Sequence, residues 1–188
     1  MARQILGLYW DEAQIQICLL RSTMAEPFVE RLASFRRELD EQGQPVQDIL
    51  SEIAELKEKL NLPSDSCVAA LSERELMYRQ VFRPFGDRRK IAATLMAELE
   101  TLLPLADDQL FYDFVLTGKD AEGLNQVLTV VARSAPIRAL ISGLKGIGLE
   151  PELVTAPACA VAAGLKAHYD LDPVRNYIGL HLGWQESA

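Results

Sequence analysis

The sequence predicts a mixed α/β (α+β) fold divided into two subdomains, and three observations carry that prediction. Apolar residues recur with period two in several short runs and near period 3.6 in others, so strands and helices alternate along the chain. The 188 residues are 49% hydrophobic and 24% charged, which supplies a core and excludes a disordered tail. Proline and glycine separate the runs at short intervals, as turns do in a compact domain.

Gln4 to Leu8 and Ile15 to Leu20 are β-compatible runs split by Trp10-Asp11-Glu12-Ala13-Gln14, the pattern of a hairpin. Phe28 to Phe35 reads either as a third strand or as a helix start. Arg36 to Gln44 is polar, and Gly43 and Pro45 mark a turn. From Val46 to Leu60, Val46, Ile49, Leu50, Ile53, Leu56 and Leu60 fall on one helical face, with Asp48, Glu52, Glu55 and Glu58 on the other. Pro63 closes that helix, and Cys67 to Leu71 is a short buried strand. Ser72 and Glu75 have capping-box spacing but no long apolar helix follows, so a single helical turn is expected.

Leu76 to Phe82 alternates as a strand and stops at Pro84 and Gly86. Asp87 then caps a helix to about Leu103, with Ile91, Leu95, Leu99 and Leu102 on its apolar face and Pro104 after it. Leu110 to Leu116 and Gln126 to Ala132 form a second hairpin around the Gly118–Gly123 loop. Ser134 caps a helix over Ile137 to Ile147 that Gly146 and Gly148 terminate. Pro151 to Val154 is a short strand, Pro157 opens a helix to about Tyr169, and Tyr177 to Leu182 is a last buried strand. Residues 1–75 and 154–188 are expected to form the main subdomain. Residues 76–153 are expected to be an inserted, ferredoxin-like or related α+β subdomain. A chain that stops just after a buried strand is expected to be the N-terminal piece of a longer protein.

Composition narrows the function. Nineteen Lys and Arg against 27 Asp and Glu give a net charge of -8, which disfavours nucleic acid and charge-driven membrane binding. Cys18, Cys67 and Cys159 are scattered and odd in number, so a reducing compartment is expected rather than a disulfide framework. His168 and His181 cannot form a zinc site without cysteine pairs, and His168 reads as a charge complement at a helix C-terminus. No apolar run reaches the ~20 residues of a membrane span, and no signal-peptide block opens the chain, so a cytoplasmic protein is expected. Neither a Ser/His/Asp order nor a Walker loop is present. The glycine run at Gly143, Gly146 and Gly148 ends a helix instead of starting one, which makes it a C-cap and not a phosphate cradle.

An ordered set of segments resembles the actin-like ATPase fold, in particular the PilM family of type IV pilus assembly and the cytoplasmic GspL domains of type II secretion. Ile5-Leu6-Gly7-Leu8-Tyr9-Trp10 with Ile15 to Leu20 is similar to that family's opening hairpin. Phe82-Arg83-Pro84, the Ala97 to Pro104 helix end, the Tyr112-Asp113-Phe114 strand and the Thr129 to Ala132 strand resemble its inserted subdomain. Leu144 to Val154 followed by Ala156 to Leu165 resembles the return to the main subdomain, and Tyr177 to Gly183 falls where the second phosphate loop begins. The resemblance covers nearly the whole chain. It implies an actin-like (ribonuclease H-like) main subdomain with a PilM-type insertion.

The departures bear on chemistry. Nucleotide-binding members end the first strand in an Asp that holds a metal-bound water, followed by small residues whose N–H groups approach phosphate. That Asp position is Tyr9 here, and the loop carries Asp11 and Glu12. Two like charges about 4 Å apart repel by about 4 kcal/mol at a surface-like dielectric. The second loop has His181 before Gly183 where an Asp is expected. The resemblance therefore implies degenerate nucleotide loops, no catalytic residue, no metal and no resident cofactor beyond residual ATP and Mg²⁺ affinity.

What the resemblance implies in place of catalysis is a cytoplasmic scaffold or adaptor. It would hold a PilN-like N-terminal peptide of an inner-membrane subunit and a cytoplasmic secretion or pilus ATPase. In the family the peptide lies in a groove between the main and inserted subdomains, which implies partner contacts at Tyr78, Phe82, Arg83, Phe85, Leu95 and Leu99. Arg83, Arg88, Arg89 and Lys90 form a compact basic cluster that suits an acidic partner or simply a solvated helix start. The alternative is a working actin-like ATPase or a sugar-kinase-like phosphotransferase.

Overall fold

A computed structural model describes residues 3–23, 27–63, 66–102, 109–170, 172 and 177. The described chain divides into two compact units, Met1–Glu73 with Ala139–Ala188, and Arg74–Arg138.

The first unit is built on a five-stranded sheet of order β3-β2-β1-β4-β8. Its strands are β1 (Arg3–Trp10), β2 (Gln14–Ser22), β3 (Phe28–Arg36), β4 (Cys67–Ala70) and β8 (Pro151–Thr155). β1, β2 and β3 form an antiparallel meander, and β4 and β8 add in parallel beside β1. Alternation sets which face is buried. Leu6 and Leu8 of β1 and Ile15 and Ile17 of β2 point to one face and meet Ile53 of α1 (Ile49–Leu60) and Leu144 of α3 (Ser134–Gly146). Burying an aliphatic side chain of this size is worth about 1.5–3 kcal/mol.

α1 starts later than the sequence period suggests. Asp48 is its N-cap, with its carboxylate accepting the N–H groups of Leu50 and Ser51. Val46 lies before the cap, exposed, with its N–H on the Glu38 carbonyl. The helix ends at Asn61, which takes the left-handed conformation at φ 49°. The third run, Phe28–Arg36, is a strand and not a helix.

The second unit is a three-stranded antiparallel sheet of order β5-β7-β6, with β5 (Leu76–Arg83), β6 (Leu110–Lys119) and β7 (Asn125–Arg133). α2 (Arg88–Leu102) covers one face. Asp87 caps it by accepting the N–H of Lys90. Ile91, Leu95 and Leu99 are buried against Val81, Phe114, Val127 and Val131.

Two expectations are corrected here. The inserted subdomain is not ferredoxin-like, because β8 does not join its sheet: Cys67 to Ala70 of β4 pair in parallel with Pro151 to Thr155. The second unit also closes at Arg138 rather than at residue 153. The physical reason is burial, since Leu140, Leu144, Ile147 and Leu149 pack into the first unit's core. α4 (Pro157–His168) follows β8 with proline in its first turn, as the sequence predicts. The expected strand 177–182, with His181 and Gly183, lies outside the described residues apart from Tyr177.

Candidate functional site

The β1–β2 hairpin is the segment that the resemblance equates with a phosphate loop. Its tip is closed on itself. Asp11 is 5% exposed, and its Oδ1 accepts the N–H groups of Ala13 at 2.8 Å and Gln14 at 2.9 Å. The Asp11 N–H donates in turn to the Gln14 carbonyl at 3.0 Å. These amides, which a phosphate loop would offer to an anion, are held by the protein's own carboxylate.

Arg37 fixes this tip from outside. Its Nη1 donates to the Asp11 carbonyl at 3.1 Å and its Nη2 to the Gln47 carbonyl at 3.0 Å. Nε and Nη2 also reach both oxygens of Glu52 in a bidentate pair at 2.9–3.2 Å. The pair is nearly dry, with side-chain exposures of 7% for Arg37 and 14% for Glu52. A single guanidinium therefore joins the hairpin tip, the 45–48 loop and the first turn of α1.

The structure separates the remaining candidate loop residues. Successive strand residues face opposite sides of a sheet. Tyr9 lines an apolar hollow of about 210 Å³ with Gly7, Cys18, Leu32 and Val68. Trp10 and Glu12 line a different hollow of about 400 Å³ beside Arg37, Asp48 and Ser72. Tyr9 and Glu12 thus do not converge on one point. Among the described residues no group of three or more His, Cys, Asp or Glu side chains is gathered as a metal site requires. The three cysteines are free thiols; burial pushes Cys67 up to about 11 and raises Cys18.

The expected partner contacts divide by burial. Leu95 and Leu99 are 0% and 1% exposed, so they hold α2 to its sheet and cannot touch a partner in this fold. Phe85 packs partly buried against the same core, and Arg83 is paired with Glu98. Leu95 and Leu99 are thereby corrected from contact residues to framework residues, whereas Arg83 and Phe85 are half-buried. Phe82, 45% exposed, stays on the outer face of the three-stranded sheet, and Tyr78 shares its parity along β5. The sequence reading missed Phe111 and Val115 on β6, which share that face. Register spreads them along the face: Phe82 lies beside Gln126 and Tyr78 beside Val130 of β7, while Val115 lies beside Leu128 and Phe111 beside Ala132. Arg138 lies over the Phe111 ring at 5.7 Å. Apolar residues on both faces of β6 were the available signal. In the basic cluster, Arg88 is already engaged with Asp113 at 3.0 Å and over the Phe114 ring at 4.5 Å.

No protein-family model and no curated protein matches the chain. Solved structures do. A PilM–PilN type IV pilus biogenesis complex superposes with a TM-score of 0.70 and 23% identity over 87% of this chain. The fold is of the PilM type. The cytoplasmic domain of EpsL, an inner membrane component of the type II secretion system of Vibrio cholerae, gives 0.53 and 16% identity over 81% of the chain. This chain spans 50% of the first neighbour's length and 57% of the second's. Among the described residues no helix is long and apolar enough to cross a membrane.

Proposed function

We propose that this PilM-type chain is a partner-binding scaffold of a type IV pilus or type II secretion machine, and not a nucleotide-driven enzyme. The closed β1–β2 hairpin carries the reading. Its amides are spent on Asp11, and Asp11 is itself buried beneath the Arg37 clamp. An incoming phosphate would have to displace a carboxylate and open that clamp, at the cost of leaving Glu52 unpaired.

In this reading the first unit is the actin-like (ribonuclease H-like) main subdomain and the second is its PilM-type insertion. A meander extended by two parallel strands supports the assignment. The partner is a PilN-like N-terminal peptide of an inner-membrane subunit, held on the outer sheet face around Tyr78, Phe82, Phe111 and Val115. Exposed aromatic side chains at such a spacing serve as anchors for a peptide. A cytoplasmic assembly ATPase is the second partner, and the chain works at the inner membrane through the first. No cofactor or metal takes part.

Titration of a fluorescent PilN-like N-terminal peptide tests this. Binding is expected, and Phe82→Ala is expected to weaken it at least tenfold while leaving the melting curve in place, since Phe82 is half outside the core. A folded protein that ignores the peptide, or binds it equally with and without Phe82, contradicts the assignment.

A further inference from the structure

Edge strands expose unpaired N–H and C=O groups and are normally guarded. The described structure has four such edges, and three carry a guard. On β5 the guanidinium groups of Arg79 and Arg83 sit on the carbonyls of Tyr78 and Phe82, each at 2.9 Å. On β6 the Asp113 carboxylate takes the N–H of Phe114 at 2.8 Å, and the ladder shifts register before Gly118. β8 is five residues long and begins at a proline.

β3 is different. It is nine residues long and pairs with β2 on one side. Among the described residues no side chain bonds to its other backbone edge. A register shift at Leu19/Leu20 of β2 interrupts the ladder near Glu30, leaving residues 31–36 in unbroken register. Leu32 lies in this stretch and is 74% exposed, the most exposed large apolar residue described. The local charge is also opposite to that of the whole chain. Arg31 and Arg36 are exposed on the strand, Arg31 with its Nη1 on the neutral Leu60 carbonyl at 3.0 Å, and the Glu30 carboxylate is engaged by Arg21 at 2.6 Å. That contact and the hydrogen bond from Gln4 lower the Glu30 carboxyl below its usual range.

We propose that the open edge of β3, residues 31–36, receives an extended segment of a partner protein, with apolar and acidic residues in alternation, as a sixth strand of the first unit's sheet. Main-chain pairing supplies affinity in this mode, and alternate side chains supply specificity. The apolar residues meet Leu32 on one face, and the carboxylates meet Arg31 on the other; Arg36 shares Leu32's face at the far end of the stretch. A second copy of the chain fits less well, because two chains each of net charge -8 repel. This edge lies in the first unit and is independent of the peptide surface around Phe82, so one can fail while the other stands.

The test uses two synthetic probes, the octapeptides acetyl-(Glu-Val)₄-amide and acetyl-(Lys-Val)₄-amide, with the full natural chain. The acidic probe is expected to bind at least tenfold more tightly than the basic one and to weaken as salt rises. Amide hydrogen exchange is expected to slow at residues 31–36. Leu32→Lys, at a position that contributes nothing to the core, is expected to abolish binding and leave the melting temperature unchanged. Equal binding of both probes, no binding of either, or protection at another edge overturns the proposal. Concentration-dependent dimerisation that Leu32→Lys abolishes also overturns it, in favour of self-pairing.

Discussion

Arg37 is the side chain on which the hairpin depends. Its guanidinium holds two carbonyls and a carboxylate from three separate segments. Removing one member of a buried, bidentate pair leaves the other as an uncompensated charge, which costs about 3–5 kcal/mol. Arg37→Ala is therefore expected to lower stability by about 3 kcal/mol in urea unfolding, with part of the loss restored by adding Glu52→Gln. A change below about 0.5 kcal/mol would mean that the clamp is ornamental. None of this was legible from sequence. Arg37 stands in a polar run that reads as a turn, and its partners Asp11 and Glu52 lie 26 and 15 positions away. The sequence did mark Asp11 as incompatible with phosphate, but for a different reason. Charge repulsion was the expected obstacle, whereas the structure shows the loop amides already bonded.

Elements with a clean period and a capping residue were readable. α2 begins after Asp87, α4 begins at Pro157, and the β6–β7 hairpin forms where its two apolar runs meet. Each is specified by neighbours a few residues away. β3 was ambiguous because residues 28–32 are all exposed, so the alternation that identifies a half-buried strand is confined to its last residues, where Ala33 and Phe35 are half-buried. β8 was found as a strand but placed in the wrong sheet. Its pairing with β4 joins positions more than eighty residues apart, and no local pattern encodes such a choice. The end of α3 was foreseen from glycine and has the expected geometry. Gly148 has φ of 73°, and the Leu149 N–H returns to the Leu144 carbonyl at 2.9 Å. A Cβ there forces an L residue into the left-handed region, at about 1–2 kcal/mol. Gly148→Ala is accordingly expected to lower the melting temperature by about 2–4 °C per kcal/mol lost. The Lys57 Nζ, 2.9 Å from the new Cβ, is the end of a flexible side chain and can move aside. An unchanged or raised melting temperature would show that the cap tolerates a side chain.

At the scale of the molecule, two units with separate apolar cores share one chain. The PilM-type fold was legible because many weak resemblances occur in the right order, although no single motif is specific. Where the insertion ends was not, since that depends on which core claims α3. The central claim is that this fold serves as a scaffold whose first nucleotide loop is closed. Calorimetric titration of the full natural chain with ATP and Mg²⁺ tests it most directly. No saturable heat is expected up to millimolar ATP. Saturable binding with a Kd near micromolar, about 8 kcal/mol of binding free energy, would mean that the Asp11 hairpin opens for phosphate and would contradict the scaffold account.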